Sequence, residues 1–277
     1  MQPSGILNSR SPSGRRFPVE YTNIILDKDN RVATVRLNRP DALNALSPEV
    51  LAELSFAVAD AGNDESIKAL VVRGEGRAFC AGADLTYFQT TFDDPTLLPE
   101  YVAQLNDTLS QIEKLPIPAI ALVHGFALAG GLELMMACDM AIVADDARLG
   151  DQHVNFGLMP GGGSTQRLPR RVGLQRAMEL LTTGRWLSGA ESVAWGLALR
   201  SVPSELLEEE LEKLVEPLRT KSRAGLALIK SVTLRGMGMP LEDGVALENL
   251  AFTQYMTTSP HPAEGIRAFR EKRQPEF

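Results

Sequence analysis

The chain has 277 residues, 44% of them hydrophobic, and its 28 basic and 35 acidic side chains give a formal net charge of -7. That length is enough for one large domain or two small ones with a substantial buried core. A net-negative surface is repelled by phosphate backbones, so the composition argues against a general nucleic-acid-binding protein. The two cysteines form no disulfide framework, which favours a reducing compartment, and we expect the protein to be cytoplasmic.

The sequence offers no metal site and no membrane-spanning segment. Its three histidines, His124, His153 and His261, show none of the HxH or HxxxH spacings that are typical of zinc or iron ligands. The longest apolar region, residues 117–144, is interrupted by glycines and charged residues, so it lacks the run of about 20 apolar residues that a spanning helix needs. We therefore predict no bound metal and no membrane partner.

The N-terminal segment, residues 1–18, combines Ser, Pro, Gly and Arg with almost no apolar periodicity, which predicts a mobile arm. A targeting peptide is the alternative, but the segment has neither an amphipathic apolar face nor a secretory hydrophobic stretch. From Tyr21 onward, two alternating apolar stretches flank the turn sequence DKDN, which predicts a hairpin of two short strands.

Strands and helices alternate in the next part of the chain. Ser47 is predicted to cap a helix that begins with Pro48 and ends near Gly62 and Asn63. Alternation of this kind predicts a parallel sheet with right-handed crossovers. The further predicted elements are a strand within residues 67–76, a helix near 99–114, a strand at 119–125, a helix from about 130 and a strand at 139–145.

The pattern changes after Pro203, because four amphipathic helices with no strand among them are predicted in the remainder of the chain. We therefore divide the chain into an α/β core, residues 19–203, and a C-terminal helical domain, residues 204–277.

Two glycine-containing turns carry the first indication of chemistry. The segments GRAFCAGADL and HGFALAGGLEL both follow a predicted strand, and both leave the N–H groups that open the next segment without partners. Two such turns that converge would polarise one carbonyl oxygen, as an oxyanion hole does. The alternative is that each turn only closes a tight loop.

Glu133 follows the second turn and stands in an apolar run. A buried carboxylate is costly unless it is paired or used, and burial moves its pKa toward the range of general acid or base catalysis. The alternative is an ordinary acid in the first helical turn that complements the helix dipole.

Several segments together resemble the crotonase superfamily, which contains the enoyl-CoA hydratases and isomerases. They are VATVRLNRPDALNAL, GRAFCAGADL, HGFALAGGLELMMACDMAIVADDARLG, FGLMPGGGSTQRLPRRVG and AMELLTTGRWLSGAESVAWGL, in that order along the chain. The resemblance implies an α/β fold with a spiral core of repeated ββα units and a C-terminal helical part that drives trimer formation. It also implies a homotrimer or a dimer of trimers.

The resemblance implies a role for individual residues. The N–H groups of Ala83 and Gly130 match the pair that holds the thioester oxygen, and Glu133 matches the first catalytic glutamate of the hydratases. Coenzyme A enters as part of the acyl-CoA substrate, and no permanently bound cofactor is implied. The positions that match contacts to coenzyme A are Ala81, Ala83, Asp84, Leu85, Phe252 and Lys272. The carbonyl of Ala81 matches the one that receives the adenine amino group. Phe252 and Lys272 match positions that often make their contact across a subunit boundary.

The second catalytic glutamate of the hydratases has no counterpart, because His153 stands four residues before Gly157 where that glutamate is expected. Histidine is also a competent acid or base near neutral pH, since its unperturbed pKa is about 6.5. The alternative is a histidine that is merely hydrogen-bonded in the core at a strand end. Asp151 is placed to orient His153 or to contact the substrate, and both interpretations stay open.

Other polar residues are given less weight. His124 is expected to make a structural hydrogen bond, and Asp84 and Asp139 match acids that the family uses at turns and helix ends. The three arginines of STQRLPRRVG fit a solvated face as well as a phosphate contact.

The leading functional hypothesis is hydration of a 2-enoyl-CoA to a 3-hydroxyacyl-CoA through a thioester enolate. His153 motivates an alternative, the hydrolysis of a C–C bond in a β-diketone or a cyclic β-ketoacyl substrate. Isomerisation of an enoyl-CoA is a further alternative, and a non-catalytic acyl-CoA-binding protein is the alternative of another class.

Overall fold

A computed structural model describes residues 21–277, so the predicted arm, residues 1–18, lies outside the described residues. The described chain begins with an antiparallel hairpin of β1 (Ile24–Asp29) and β2 (Val32–Leu37). Its turn residues, Asn30 and Arg31, have φ values of 44° and 66°. Positive φ at both positions is what a two-residue hairpin turn requires. The predicted hairpin is confirmed, but its turn is Asn30 and Arg31, and the first three residues of the DKDN segment belong to β1.

The later elements alternate as the sequence predicts. The helix from Pro48 to Asn63 is capped by Ser47, whose side chain accepts a hydrogen bond from the Val50 N–H. The strands that follow the hairpin are β3 (Ala69–Gly74), β4 (Ala119–Val123), β5 (Phe126–Leu128), β6 (Met140–Ala144), β7 (Arg148–Gly150), β8 (Leu187–Ser188) and β9 (Arg200–Val202). The helices are α1 (Pro48–Asn63), α2 (Leu85–Asp93), α3 (Leu97–Lys114), α4 (Gly130–Ala137), α5 (Ser164–Val172), α6 (Leu174–Thr183), α7 (Gly189–Ala194), α8 (Leu207–Arg219), α9 (Arg223–Gly236), α10 (Leu241–Thr258) and α11 (His261–Glu271).

The main sheet has six strands in the order β1-β2-β3-β4-β6-β9. All neighbours from β2 to β9 are parallel, which confirms the predicted parallel sheet. Every residue of β4 is buried, as expected for a central strand covered on both faces. The apolar side chains of β2, β3, β4 and β6 form one core with the buried faces of α1, α3 and α4.

A second, smaller sheet has the order β5-β7-β8, and an isolated parallel bridge joins Cys80 to Ala127 of β5. Each of β4 and β6 in the main sheet is followed by a short strand in the smaller sheet and then by a helix. The units β4-β5-α4 and β6-β7-α5 are therefore consecutive ββα turns, the arrangement that the resemblance implies. The segment predicted as a plain glycine turn before α4 contains the strand β5, and α2 is an additional helix.

After β9 the chain forms only helices apart from a short 3₁₀ turn, and α8 to α11 confirm the four predicted helices. Lys230 of α9 is buried and ties this part to the core: its Nζ lies 2.7 Å from Asp139 Oδ2 and 3.0 Å from the Ile112 carbonyl. By contrast, α10 has no buried residue and packs against α9. The domain boundary at residue 203 stays a prediction.

In the part of the chain from Tyr21 to Phe277, no helix combines the length and the apolar character needed to cross a bilayer.

Candidate active site

The start of α4 comes unusually close to the segment around Cys80. A Cβ atom on Gly131 would lie 2.0 Å from the Cys80 carbonyl oxygen, so only glycine allows this approach. A Cβ atom on Gly130 would lie 3.4 Å from the backbone nitrogen of Ala83. The two glycines therefore bring the first turn of α4 next to the N–H of Ala83, so the two turns converge.

The N–H groups of Ala83 and Gly130 are both free. Ala83 forms a parallel bridge with Leu46, in which the Leu46 N–H donates to Gly82 O at 2.8 Å and the Asp84 N–H donates to Leu46 O at 3.1 Å. The N–H of Ala83 itself points away from Leu46. Gly130 is the first residue of α4, where no intrahelical acceptor exists. Within residues 21–277 neither group has an acceptor, and two adjacent free donors are what an oxyanion hole requires.

Ala129 holds a strained backbone conformation just before Gly130, with φ 49° and ψ -117°. Such a conformation costs a non-glycine residue about 1–3 kcal/mol and persists only where the surroundings enforce it. Here the Ala129 N–H donates to Gly150 O at 3.0 Å, which ties it to the end of β7. This turn is what directs the N–H of Gly130 out of the helix end.

Glu133 lies in the first turn of α4 and is only 1% exposed. Its Oε1 accepts a hydrogen bond from the Ser164 N–H at 2.9 Å, whereas its Oε2 has no partner within the described residues. Burial raises the pKa of Glu133 above its ordinary value, and the Ser164 N–H and the charge of His153 oppose this shift only in part. A buried carboxylate with a free oxygen and a raised pKa is suited to proton transfer.

His153 begins a 3₁₀ helix, His153–Phe156, and is not at the end of a strand. Its Nδ1 lies 2.8 Å from Oδ1 of Asp151, which is completely buried. Burial opposes the charged imidazole, but the hydrogen bond and charge of Asp151 and the charge of Glu133 outweigh it, so the pKa of His153 is raised. Of the two interpretations of Asp151, the orientation of His153 agrees with this contact.

The residues expected to contact coenzyme A fall into two groups. Near the free N–H groups, the Ala81 carbonyl accepts no hydrogen bond within the described chain, and Leu85 is 62% exposed. Asp84 caps α2 by accepting from the Thr86 N–H at 2.9 Å and pairs with Arg39 at 2.8 Å. Its carboxylate is thus engaged within the fold, in the helix-end role that the sequence also allowed.

The second group lies in the C-terminal helices. Phe252 is on α10 and is 61% exposed, and Lys272 follows the last residue of α11. α10 packs on α9, and the contact of these two residues with coenzyme A stays a prediction.

The remaining candidates have structural partners. His124 Nε2 lies 2.9 Å from Gly76 O, which is the structural hydrogen bond that we expected. In the STQRLPRRVG segment, Arg171 donates to the carbonyls of Met136 and Cys138 at the end of α4, and Arg167 pairs with Glu113 at 2.6 Å. Neither arginine is left for a phosphate. The part of the chain that the structure describes contains no group of three His, Cys, Asp or Glu side chains placed to hold a metal ion.

Sequence reasoning did not assign two neighbours of Glu133. Ser164 supplies the N–H that holds Oε1, and its own hydroxyl is buried without a partner in residues 21–277. A Cβ on Gly162 would lie 2.4 Å from Oε2 of Glu133. The run of three glycines before Ser164 was the signal, because consecutive glycines often mark a close approach to another group.

Comparisons with known proteins place the chain in a family. Residues 27–277 match the family described as enoyl-CoA hydratase/isomerase. The chain is 36% identical to the crotonyl-CoA hydratase of Syntrophomonas wolfei, over 93% of this chain and 98% of the relative. It is 38% identical to a probable enoyl-CoA hydratase of Bacillus subtilis, over 92% of this chain and 98% of the relative.

Solved structures show the same fold. The crystal structure of an enoyl-CoA hydratase from Bacillus anthracis superimposes with a TM-score of 0.88 at 34% identity, covering 92% of this chain and 99% of that one. The match spans the ββα core and the C-terminal helices together. The chain therefore belongs to the enoyl-CoA hydratase/isomerase family and is an enzyme with the crotonase fold.

Proposed function

We propose that this protein adds water to the double bond of a 2-enoyl-CoA and forms a 3-hydroxyacyl-CoA. The relatives named as enoyl-CoA and crotonyl-CoA hydratases support this reaction. The observation that carries the proposal is the position of Glu133, a buried carboxylate with one free oxygen. It lies on the same helix turn as Gly130, whose free N–H is next to the free N–H of Ala83. A charge-stabilising pair and a base are thus adjacent.

The thioester oxygen would bind to the N–H groups of Ala83 and Gly130. When water attacks the β-carbon, negative charge develops on this oxygen, and two preorganised donors stabilise it without reorganisation. Each such donor typically contributes about 100-fold to 1000-fold in rate. The rigid support of Ala129 and Gly131 keeps the two donors in place.

Glu133 and His153 would share the two proton transfers. Glu133, as the carboxylate, takes a proton from water as the oxygen bonds to the β-carbon, and the double-bond electrons move toward the thioester oxygen. His153, as the imidazolium, then gives a proton to the α-carbon as the enolate collapses. Water has been added in full, and a proton passing from Glu133 to His153 restores the starting state.

Coenzyme A is part of the substrate in this proposal, and no resident cofactor takes part. We assign the Ala81 carbonyl and the backbone near Leu85 to one end of the coenzyme A moiety. Phe252 and Lys272 would reach it from the C-terminal helices of a neighbouring copy. The buried, unpaired Cys80 and Cys138 are compatible with our expectation of a cytoplasmic protein.

The substitution Glu133→Gln tests the proposed base. Glutamine keeps the size of the side chain but cannot take a proton, so kcat on crotonyl-CoA should fall by about 100-fold or more while KM changes little. The measurement is steady-state hydration of crotonyl-CoA. Glu100→Gln, at an exposed position on α3, is the matched control and should retain wild-type activity. A Glu133→Gln enzyme with unchanged turnover would contradict the assignment.

The contact between His153 and Asp151 also favours a second candidate, the hydrolysis of a C–C bond in a β-diketone or a cyclic β-ketoacyl substrate. A histidine held by a carboxylate is able to activate water for attack on a ketone as well as to protonate a carbanion. Incubation with a cyclic 1,3-diketone separates the two functions, because only the cleavage reaction releases a new carboxylate.

A further inference from the structure

Asp151 lies directly after β7 and has no exposed surface. Its Oδ1 is 2.8 Å from His153 Nδ1 and also accepts from the backbone N–H of His153 at 3.4 Å. The ring and the backbone of His153 are therefore both held by the same carboxylate oxygen. The Asp151 Oδ2 has no partner in the part of the chain that the structure describes.

This contact assigns different tasks to the two ring nitrogens. A hydrogen bond from imidazole to a carboxylate requires the proton on Nδ1, since a carboxylate only accepts. The other nitrogen, Nε2, makes no hydrogen bond to any of residues 21–277. With the His153 side chain still 14% exposed, Nε2 is the nitrogen able to exchange a proton with a substrate.

The charged groups that act on the imidazole of His153 are Asp151 from its own segment and Glu133 from α4. Helix α6 packs against the His153–Phe156 turn and carries Arg176 and Glu179. Arg176 stacks on Trp195, and Glu179 pairs with Arg185, so both are engaged elsewhere. Two carboxylates thus face one imidazole, which favours its protonated form.

We propose that Asp151 is a positioning residue, which holds His153 as an imidazolium and directs Nε2–H to deliver the proton to the α-carbon. In this proposal the proton donor is the imidazolium of His153, which is paired with the buried carboxylate of Asp151. It is not a carboxylic acid. The inference rests on the proposed hydration for the step that the proton serves. The pairing of Asp151 with His153 stands on geometry alone.

The proposal sets the sign of the pH dependence. The pKa of His153 is raised, so the imidazolium persists to higher pH than in an ordinary histidine and is lost as the pH rises through the raised value. The pKa of Glu133 is also raised, and the base form is lost as the pH falls through that value. Hydration requires the carboxylate of Glu133 and the imidazolium of His153 together, so its rate should fall at low pH, where Glu133 is protonated, and along an alkaline limb, where His153 is deprotonated.

The test is Asp151→Asn, because asparagine keeps the size and still offers an oxygen to Nδ1–H but removes the charge. The pKa of His153 should fall by about one pH unit or more. Proton NMR titration of the ring signals measures this directly, because the chain has only three histidines and His153→Gln assigns the signal. The alkaline limb of kcat against pH on crotonyl-CoA should move down by the same amount, while KM changes little.

Asp107→Asn, at an exposed position of α3, is the matched control and should move neither readout. An Asp151→Asn enzyme whose His153 titrates as in the wild type would overturn the pairing. A lowered pKa of His153 with an unmoved alkaline limb would overturn its role as the proton donor. A wild-type protein without hydratase activity would refute the proposed function, while the NMR titration would still decide whether Asp151 holds His153.

If Asp151→Asn does not fold, the wild-type titration decides. His153 must then titrate above the ordinary histidine value of about 6.5, and a midpoint at or below that value would refute the proposal.

Discussion

Glu133 retains a carboxylate oxygen that has no hydrogen-bond partner within residues 21–277. Leaving a buried polar group unpaired costs about 1–3 kcal/mol, and more for a charged group. The proposed role of Glu133 as the base gives this oxygen a task, since it would receive the proton from water. The backbone at Gly162 limits the space around that oxygen, since a Cβ atom there would lie only 2.4 Å away. The absence of a side chain at Gly162 therefore leaves the room that the carboxylate occupies.

Gly162→Ala should displace the carboxylate of Glu133 without unfolding the protein, because the new methyl group meets the flexible end of a side chain. A displacement of about 1 Å in a catalytic group costs up to about 100-fold in rate. We expect a loss of that order in kcat on crotonyl-CoA and a much smaller change in the midpoint of urea unfolding.

The neighbouring Gly161→Ala is the matched control. A Cβ on Gly161 would meet only the Val102 side chain at 3.8 Å, an ordinary contact. Its kcat should remain within a few-fold of the wild type. Equal losses in both variants would show that the glycine run acts on the loop as a whole and not on Glu133.

The site residues that were predicted from the sequence and the resemblance are those whose conformation depends on neighbouring residues in the chain. Gly130, Gly131 and Glu133 belong to a strand-to-helix turn whose free N–H groups follow from the chemistry of glycine and of helix ends. The partners of Glu133 were not predictable in this way. Ser164 reaches it from 31 positions further along the chain, and only the folded structure brings that N–H to Oε1.

His153 and Asp151 illustrate the limit of spacing arguments. Residues two apart face the same side in a strand and different sides in a helix, so the sequence left the contact between them open. The structure places His153 at the start of a 3₁₀ helix, where its ring folds back onto Asp151.

The elements with a strong local signal were predictable. Polar turn residues mark the hairpin of β1 and β2 in the sequence. Helix α1 has both a cap at Ser47 and a proline at its first position. The C-terminal helices show an apolar stripe at helical spacing. In each case neighbouring residues are enough to define the element.

The short strands were not predictable because neighbouring residues are not enough to define them. β5 and β7 have three residues each, too few for a periodic pattern, and they exist because they pair with one another. β5 also bridges to Cys80, which supports the turn that carries Ala83. The small sheet therefore depends on tertiary contacts, and the active-site turns depend on the small sheet.

For the whole molecule, the described chain leaves a large apolar surface on its C-terminal helices. No residue of α10 is buried, and Leu241 and Phe269 are each 84% exposed. A groove of about 800 Å³ runs between α9, α10 and α11, with Phe252, Tyr255 and Ile266 in its walls. Exposed apolar patches of this kind mark interaction surfaces, and we propose that other copies of the chain cover them.

The assembly is measurable by light scattering coupled to size-exclusion chromatography. We expect a mass of three or six chains, the trimer or dimer of trimers that the resemblance implies, and the proposed contacts of Phe252 and Lys272 with coenzyme A would come from a neighbouring copy in it. A protein that remains a monomer at micromolar concentration, yet hydrates crotonyl-CoA at full rate, would contradict this arrangement.

In the proposed reaction water is added across the double bond of an enoyl-CoA, and isotope labelling of the product tests this addition most directly. The wild-type protein is incubated with crotonyl-CoA in ¹⁸O-labelled D₂O, and the product is analysed by mass spectrometry and NMR. We predict a 3-hydroxyacyl-CoA with one ¹⁸O in the hydroxyl group and deuterium on the α-carbon. Deuterium without ¹⁸O would indicate isomerisation, ¹⁸O in a carboxylate would indicate hydrolysis, and unchanged substrate would exclude crotonyl-CoA as a substrate. Either of the first two results would contradict the hydratase assignment.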